Sequence, residues 1–387
     1  MKIVKKLVFI IGIGVLIHFS LLFSGNIHLY NTLENTVFKG RLGPSIDEYG
    51  IFSNRKVIPG KHEDWLVSNS INSDEISDES ASEFVDLGTV AYLVIHNDSI
   101  VKEQYWDGYS ENSQSNSFSM AKSILNIAIG SLIRDGKITS IDDPVSLYLP
   151  EFDVSKFPEL SIRHLLQMSS GINFDENYIN PFAYPAKANY GDDLVKLTYS
   201  YSITEQPGKQ FKYRSGNSQL LSFIIAKASG METSEYVTEK IWKRIGAKNE
   251  ALWSLDKPGG KEKGFCCFNS NARDFARIGK LFLQQGVWNN DTIVDAKFVA
   301  ESITPAPIMD VNDKPCARYG LHWWLHQYEG YEVFYARGIL GQYIAVIPAL
   351  DLIVVRLGHK RIKPKGVEAP PDFNLYLKEA ISVINKR

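Results

Sequence analysis

Ser119 and Lys122 stand three residues apart at the head of an apolar run that continues through residues 124–133. If a helix opens at Ser119, that spacing puts a hydroxyl and an amine on one face, one turn apart. The free N–H groups and dipole of a helix N-terminus favour negative charge at the serine. Ile124, Leu125, Ile127, Ala128, Ile129, Leu132 and Ile133 leave almost no polar face, which predicts a buried helix stopped at Arg134-Asp135-Gly136. A lysine carried into such a core loses hydration, so its pKa falls and it can take a proton from a neighbouring serine. A capping serine and a snorkelling lysine would explain the same letters. The pattern is also short: Ser53/Lys56, Ser99/Lys102 and Ser254/Lys257 repeat it. Those three fall beside turns or in a hairpin, whereas Ser119 begins a buried helix.

A serine nucleophile needs a proton relay and an oxyanion site. Gly-x-Ser-x-Gly and His-Glu-x-x-His are both absent. His322 and His326 are four apart, but Trp323-Trp324-Leu325 between them predicts a strand rather than a metal-binding helix. Residues 206–217 carry Tyr213 in a Pro- and Gly-rich loop ahead of an apolar helix. A phenol held beside a lysine ammonium can have its pKa lowered and act as a base. A packed aromatic is the plainer reading of that tyrosine alone.

The elements that must position these groups read as α+β. Residues 90–96 and 100–106 flank Asn97-Asp98-Ser99 and predict a hairpin. Helices are predicted over 218–229, 232–243 and 272–285, so the middle, about 140–300, reads as a mostly helical insertion. Strand-like runs return at 321–327, 332–336, 344–347 and 352–357, before a last helix at 372–386. One antiparallel sheet built from both chain ends, flanked by helices, is expected. Residues 26–86, with a Ser/Asp/Glu/Asn-rich second half, read as linker and lead-in to a domain spanning 87–387.

The chain has 387 residues and a net charge of −2, with no basic stripe, which argues against nucleic-acid binding. Cys266, Cys267 and Cys316 form no metal or disulfide pattern, and the adjacent pair is hard to join, so all three read as small buried side chains. Lys2, Lys5 and Lys6 precede an apolar stretch at 7–23 that lacks a small-x-small cleavage site. Residues 1–25 read as an uncleaved signal-anchor with an exported body, the alternative being a cleaved signal peptide. The membrane is expected to be touched through this segment alone. Oligomeric state is left open.

Several motifs in order resemble the β-lactamase-related serine hydrolases: Ser119-Met120-Ala121-Lys122, then Tyr213-x-Ser215-Gly216-Asn217, then Ala336-Arg337-Gly338-Ile339-Leu340-Gly341-Gln342. This family includes penicillin-binding proteins, class C β-lactamases, family VIII esterases and the 6-aminohexanoate-dimer hydrolases. Residues 162–171, 174–178 and 272–279 resemble segments of the last branch. The resemblance implies a β-lactamase/transpeptidase-like fold and an acyl-enzyme on Ser119, with Lys122 and Tyr213 sharing the proton and either as formal base. It implies an oxyanion hole from the N–H groups of Ser119 and Ile339, and substrate contacts from Tyr178, Asn217, Gly338, Gly341 and Gln342. An ester or amide substrate and no cofactor are expected. The sequence departs from the pattern with Ala336-Arg337-Gly338 at the Lys-Thr-Gly position and Ser215 at the place of an asparagine. Where the 6-aminohexanoate-dimer branch holds its substrate amine with an aspartate, Asn189 stands. These departures argue against β-lactam or D-Ala-D-Ala recognition as the main task. A DD-peptidase or β-lactamase, and a catalytically inactive tethered binding module, are the alternatives.

Overall fold

The structure is a computed structural model that describes residues 2–363 and 369–386. Its main sheet has seven strands, in the spatial order Trp324–Tyr328, Tyr331–Gly338, Gln342–Ile347, Leu352–Gly358, Thr89–His96, Ser99–Tyr105 and Leu66–Val67. The pairing of Leu352–Gly358 with Thr89–His96 is antiparallel and joins the C-terminal strands to the N-terminal hairpin. The expected α+β architecture is therefore present, with the sheet made from both ends of the chain.

Alternation along the strands sorts the side chains onto two faces. Leu93, Ile95, Ala336, Ile344, Val346, Ile353 and Val355 face one core, shared with Ile124, Leu125 and Ile129 of the Ala121–Arg134 helix. Tyr92, Val94, Tyr335, Tyr343, Ala345 and Val354 face the other, under Phe373, Tyr376 and Leu377 of the Pro371–Asn385 helix. The first face thus carries the helix that begins just after Ser119.

Two expectations differ from what is observed. The middle of the chain is not wholly helical: Ala251–Ser254 and Phe268–Ser270 join Asn54–Val57 and Ser115–Asn116 in a second, four-stranded sheet. Residues 26–86 are folded onto the body, with Ile46, Val57, Trp65, Ile76 and Phe84 buried. These apolar residues are scattered singly or in runs of two or three among polar ones, too short for a period to show. Long-range partners hold the segment, among them the Trp65 indole, which donates to Arg273 O at 3.0 Å.

Candidate active site

Ser119 lies in a 3₁₀ turn, Phe118–Met120, that feeds directly into the Ala121–Arg134 helix. The backbone bends sharply there: Phe118 has φ +45°, and its N–H is held by Asn116 Oδ1 at 2.8 Å. That turn leaves Ser119 half-exposed while Ala121 through Leu132 are all buried.

Lys122, one turn on, is sealed in the core. Its Nζ donates to Ser119 Oγ at 3.1 Å, to Phe265 O at 2.6 Å and, at 3.4 Å, to Ser215 Oγ. All three acceptors are neutral. Burial therefore dominates and lowers the lysine pKa to about 7, against an opposing pull from the Glu176 carboxylate. An amine at that value is in part neutral near pH 7 and can accept the Ser119 proton.

Tyr213 closes the other side of the hydroxyl. Its phenol hydrogen-bonds to Ser119, and its ring centroid lies 5.3 Å from Lys122 Nζ. The expected lowering of the phenol pKa by lysine is not what the site produces. Burial pushes it well up, with the bond to Ser119 and the charges of Arg337 and Arg361 pulling the other way and Glu176 adding to the rise. The inversion follows from the burial of the phenol itself, which outweighs the bond to Ser119 and the two guanidinium charges.

Glu176, quoted in the sequence only as part of a resembling segment, organises the back of the site. Its carboxylate accepts from Ser215 N at 2.6 Å, Ser215 Oγ at 2.5 Å and the Tyr178 hydroxyl at 2.6 Å. Ser215 opens the Ser215–Ser229 helix, so the negative charge sits at a helix N-terminus, where the dipole favours it. Glu176 thereby turns Ser215 Oγ toward Lys122. Nothing local in the sequence marked its link to the Ser215 helix, because Ser215 is 39 residues away.

Gly338 ends the Tyr331–Gly338 strand, and Ile339 follows it, beside the turn that carries Ser119. A Cβ on Gly338 would lie 2.3 Å from Ser117 O, so the absence of a side chain is what lets strand and turn meet. The next residues are pinned from behind by Arg356, fully buried, whose guanidinium donates to Leu340 O, Gly341 O and Lys360 O at 2.8–3.0 Å. Arg356 was not singled out in the sequence.

Three residues expected to contact substrate do not face the cleft. Gln342 is buried and donates to Ile339 O at 3.1 Å and Gly358 O at 2.7 Å, bracing the loop instead. Gly341, with φ +85°, is backed by Arg356, where a Cβ would lie 2.1 Å from Nη1. Asn217 is buried and accepts from Ser170 Oγ at 2.6 Å. Two residues along a helix turn a side chain through about 200°, so with Ser215 facing Lys122, Asn217 points away.

His322 and His326 go to separate partners, Ser218 Oγ at 2.9 Å and Asn374 Oδ1 at 2.8 Å. Arg337 follows the parity of Tyr335, away from Ala336, and stacks on Trp324, whose ring packs on Tyr213. Cys266 and Cys267, expected as separate thiols, are joined in a disulfide. Cys267 has φ +68°, a left-handed turn that brings its side chain back over its neighbour. Cys316 is a buried free thiol.

In front of Ser119 lies a cavity of about 100 Å³. Ser119, Ser215, Tyr178, Asn189 and Ile339 meet in it, and Pro181, Pro185, Phe265 and Cys266 form apolar walls. Thr32, Thr36, Leu42 and Pro44, from the segment expected to be a linker, supply another wall. Among the described residues that line it there is no charged side chain.

The chain belongs to the β-lactamase family, whose signature matches residues 78–375. It is 25% identical over 287 residues to the 6-aminohexanoate-dimer hydrolase of Paenarthrobacter ureafaciens, covering 70% of this chain and 72% of that one. It is 32% identical over 151 residues to a putative penicillin-binding protein of Bacillus subtilis, 38% of this chain and 35% of the other. A putative 6-aminohexanoate-dimer hydrolase from Bacillus anthracis shares the fold, with a TM-score of 0.74 at 20% identity over 88% of this chain and 93% of that one. So does EstCE1, a hydrolase with promiscuous acyltransferase activity, with a TM-score of 0.60 at 15% identity over 79% and 96%.

Proposed function

We propose that this protein is a serine hydrolase that cleaves an ester or amide through an acyl-enzyme on Ser119. The observation that carries the reading is the convergence on one hydroxyl of a desolvated amine at 3.1 Å and a hydrogen-bonded phenol. Ser119 Oγ attacks the carbonyl carbon while Lys122 Nζ takes its proton. Lys122 is the better base of the two, since burial moves its pKa down towards neutrality and moves that of Tyr213 up. The N–H groups of Ser119 and Ile339 stabilise the oxyanion, a contribution of about 10²–10³ in rate per donor. The carbon–oxygen or carbon–nitrogen bond then breaks as Tyr213 gives its proton to the leaving atom, and Lys122 restores it. Water attacks the acyl-enzyme, losing a proton to the same relay, and Ser119 is released.

With no charged side chain among the described residues that line it, the cleft favours an apolar acyl group. The helix Lys2–Phe23 contains a 20-residue span, Val4–Phe23, long and apolar enough to cross a membrane, and no described residue of it is buried. We take it as an anchor, with Lys2, Lys5 and Lys6 cytoplasmic and the cleft outside. One observation favours the DD-peptidase or β-lactamase reading: the positive charges of Arg337 and Arg361 act on the Tyr213 phenol, on the side where that family binds a substrate carboxylate. A panel of p-nitrophenyl esters, small amides and a fluorescent penicillin separates these. Turnover of esters or amides, abolished by Ser119→Ala, supports the hydrolase. Rapid stable labelling by penicillin without ester turnover supports the other reading, and inertness to all three defeats both.

A further inference from the structure

We propose that the mouth of the cleft rests on the bilayer and that the substrate is an amphiphile taken from it, its apolar acyl chain entering between residues 32–44 and 178–186. The placement rests on the anchor reading, and the substrate class rests on the serine hydrolase reading.

Only residues 24–27 separate Phe23, at the end of the apolar helix, from His28, at the start of the His28–Asn35 helix. Such a link reaches at most about 18 Å. The two helices also touch: His18 Nδ1 and Tyr30 Oη are 3.2 Å apart. The second helix then supplies cleft wall through Thr32 and, just past its end, Thr36. The wall of the cleft is therefore the first structure the chain makes on leaving the membrane.

The same segment and its neighbour across the cleft expose large apolar side chains. Leu42 is 97% exposed and Ile179 88%, and both also line the cavity, which places them at its mouth. Phe38, 79% exposed, follows Thr36 by two residues, and the exposed Val37 and Phe182 adjoin the lining residues Thr36 and Pro181. Single exposed apolar residues are ordinary on a protein surface. Several around one apolar opening, beside a spanning helix, are what an interface with acyl chains requires. Lys39, exposed between Phe38 and Leu42, adds a cation at headgroup level.

The bilayer is the committed occupant because the rim is continuous with the anchor. A water-facing cleft would gain nothing from such a rim and would bear the aggregation risk. An amphiphile, by contrast, would move from bilayer to cleft without its chain crossing water.

The full-length chain in vesicles of phosphatidylcholine with a minor phosphatidylglycerol fraction tests both halves. A fluorophore on Phe38→Cys (Cys316 is buried) is expected to be quenched by lipids brominated on their acyl chains. An unquenched probe overturns the bilayer contact. The pair Val37→Asp and Phe38→Asp should leave hydrolysis of a water-soluble acetate ester within about twofold while lowering that of a long-chain ester carried in the vesicles about tenfold or more. Equal loss on both esters, or loss on neither, overturns the substrate class. If the unmodified protein hydrolyses no ester at all, the serine hydrolase reading and the substrate class fall together, while the quenching result still decides the bilayer contact.

Discussion

Lys122 and Lys263 are each 1% exposed, burial lowers the ammonium pKa of both, and each donates to a backbone carbonyl and lies near an aromatic ring, yet among the described residues hydroxyls neighbour Lys122 alone. Lys122 faces two hydroxyls, and one belongs to the half-exposed Ser119 at the cleft. Lys263 donates to Asn189 O at 2.7 Å and sits 3.2 Å above the Phe52 ring. A carbonyl and an aromatic face both stabilise the charged ammonium and offer it no proton to take. Lys263 thus reads as a pin between the Tyr184–Tyr190 helix and the N-terminal segment. Desolvation alone does not make a catalytic amine; the neighbour whose proton it can accept does.

This contrast can be broken most directly by removing each amine. Ser119→Ala and Lys122→Met are expected to lower kcat/KM by about 10³-fold or more with the fold intact, measured by steady-state kinetics and circular dichroism. Lys263→Met should stay within about tenfold of the parent, because no proton passes through it. Comparable losses in the two lysine variants would erase the distinction.

Tyr213→Phe comes next, with an expected loss of about 10²–10⁴ for a general acid. Rates unchanged by that substitution would leave Lys122 as the sole relay.

The pH dependence sharpens the comparison further. Lys122 must be neutral to act, so kcat/KM should rise with pH through a limb centred near its lowered pKa of about 7. Glu176 holds that value up, so Glu176→Gln should move the limb to lower pH. A limb that stays fixed, or moves to higher pH, would show that Glu176 does not act on the amine. Stability carries the same signature: between pH 7 and 10.5 an unfolded Lys122 binds a proton that the folded one lacks. Unfolding free energy should therefore rise with pH across that window for the parent and more weakly for Lys122→Met, read from urea melts.

The smallest effect expected is on Lys263. Phe52→Leu removes the aromatic face and should cost about 1–2 kcal/mol of stability with kcat little changed.

Ser119 and Lys122 were legible because a three-residue spacing ahead of an apolar run is a local property of a helix. The hairpin at 89–105 and the C-terminal strands were legible for the same reason, since alternation shows over a few residues. Tyr213 stood out only through its resemblance to a family motif. Asn217 and Gln342 came from that same resemblance, and their side chains turned out to face away from the cleft. Glu176, Phe265 O and Arg356 carried no local signal, each acting on a partner far along the chain or through backbone.

The sequence by itself determined the family, the sheet built from both ends, the nucleophile helix and the apolar N-terminal span. Only the tertiary structure decided the pKa shifts of Lys122, down, and of Tyr213, up, because they depend on the burial each receives from distant segments. It alone also decided that residues 28–44 wall the cleft. Periodicity records how a segment buries its own side chains, but a cavity is made from the exposed edges of segments that meet.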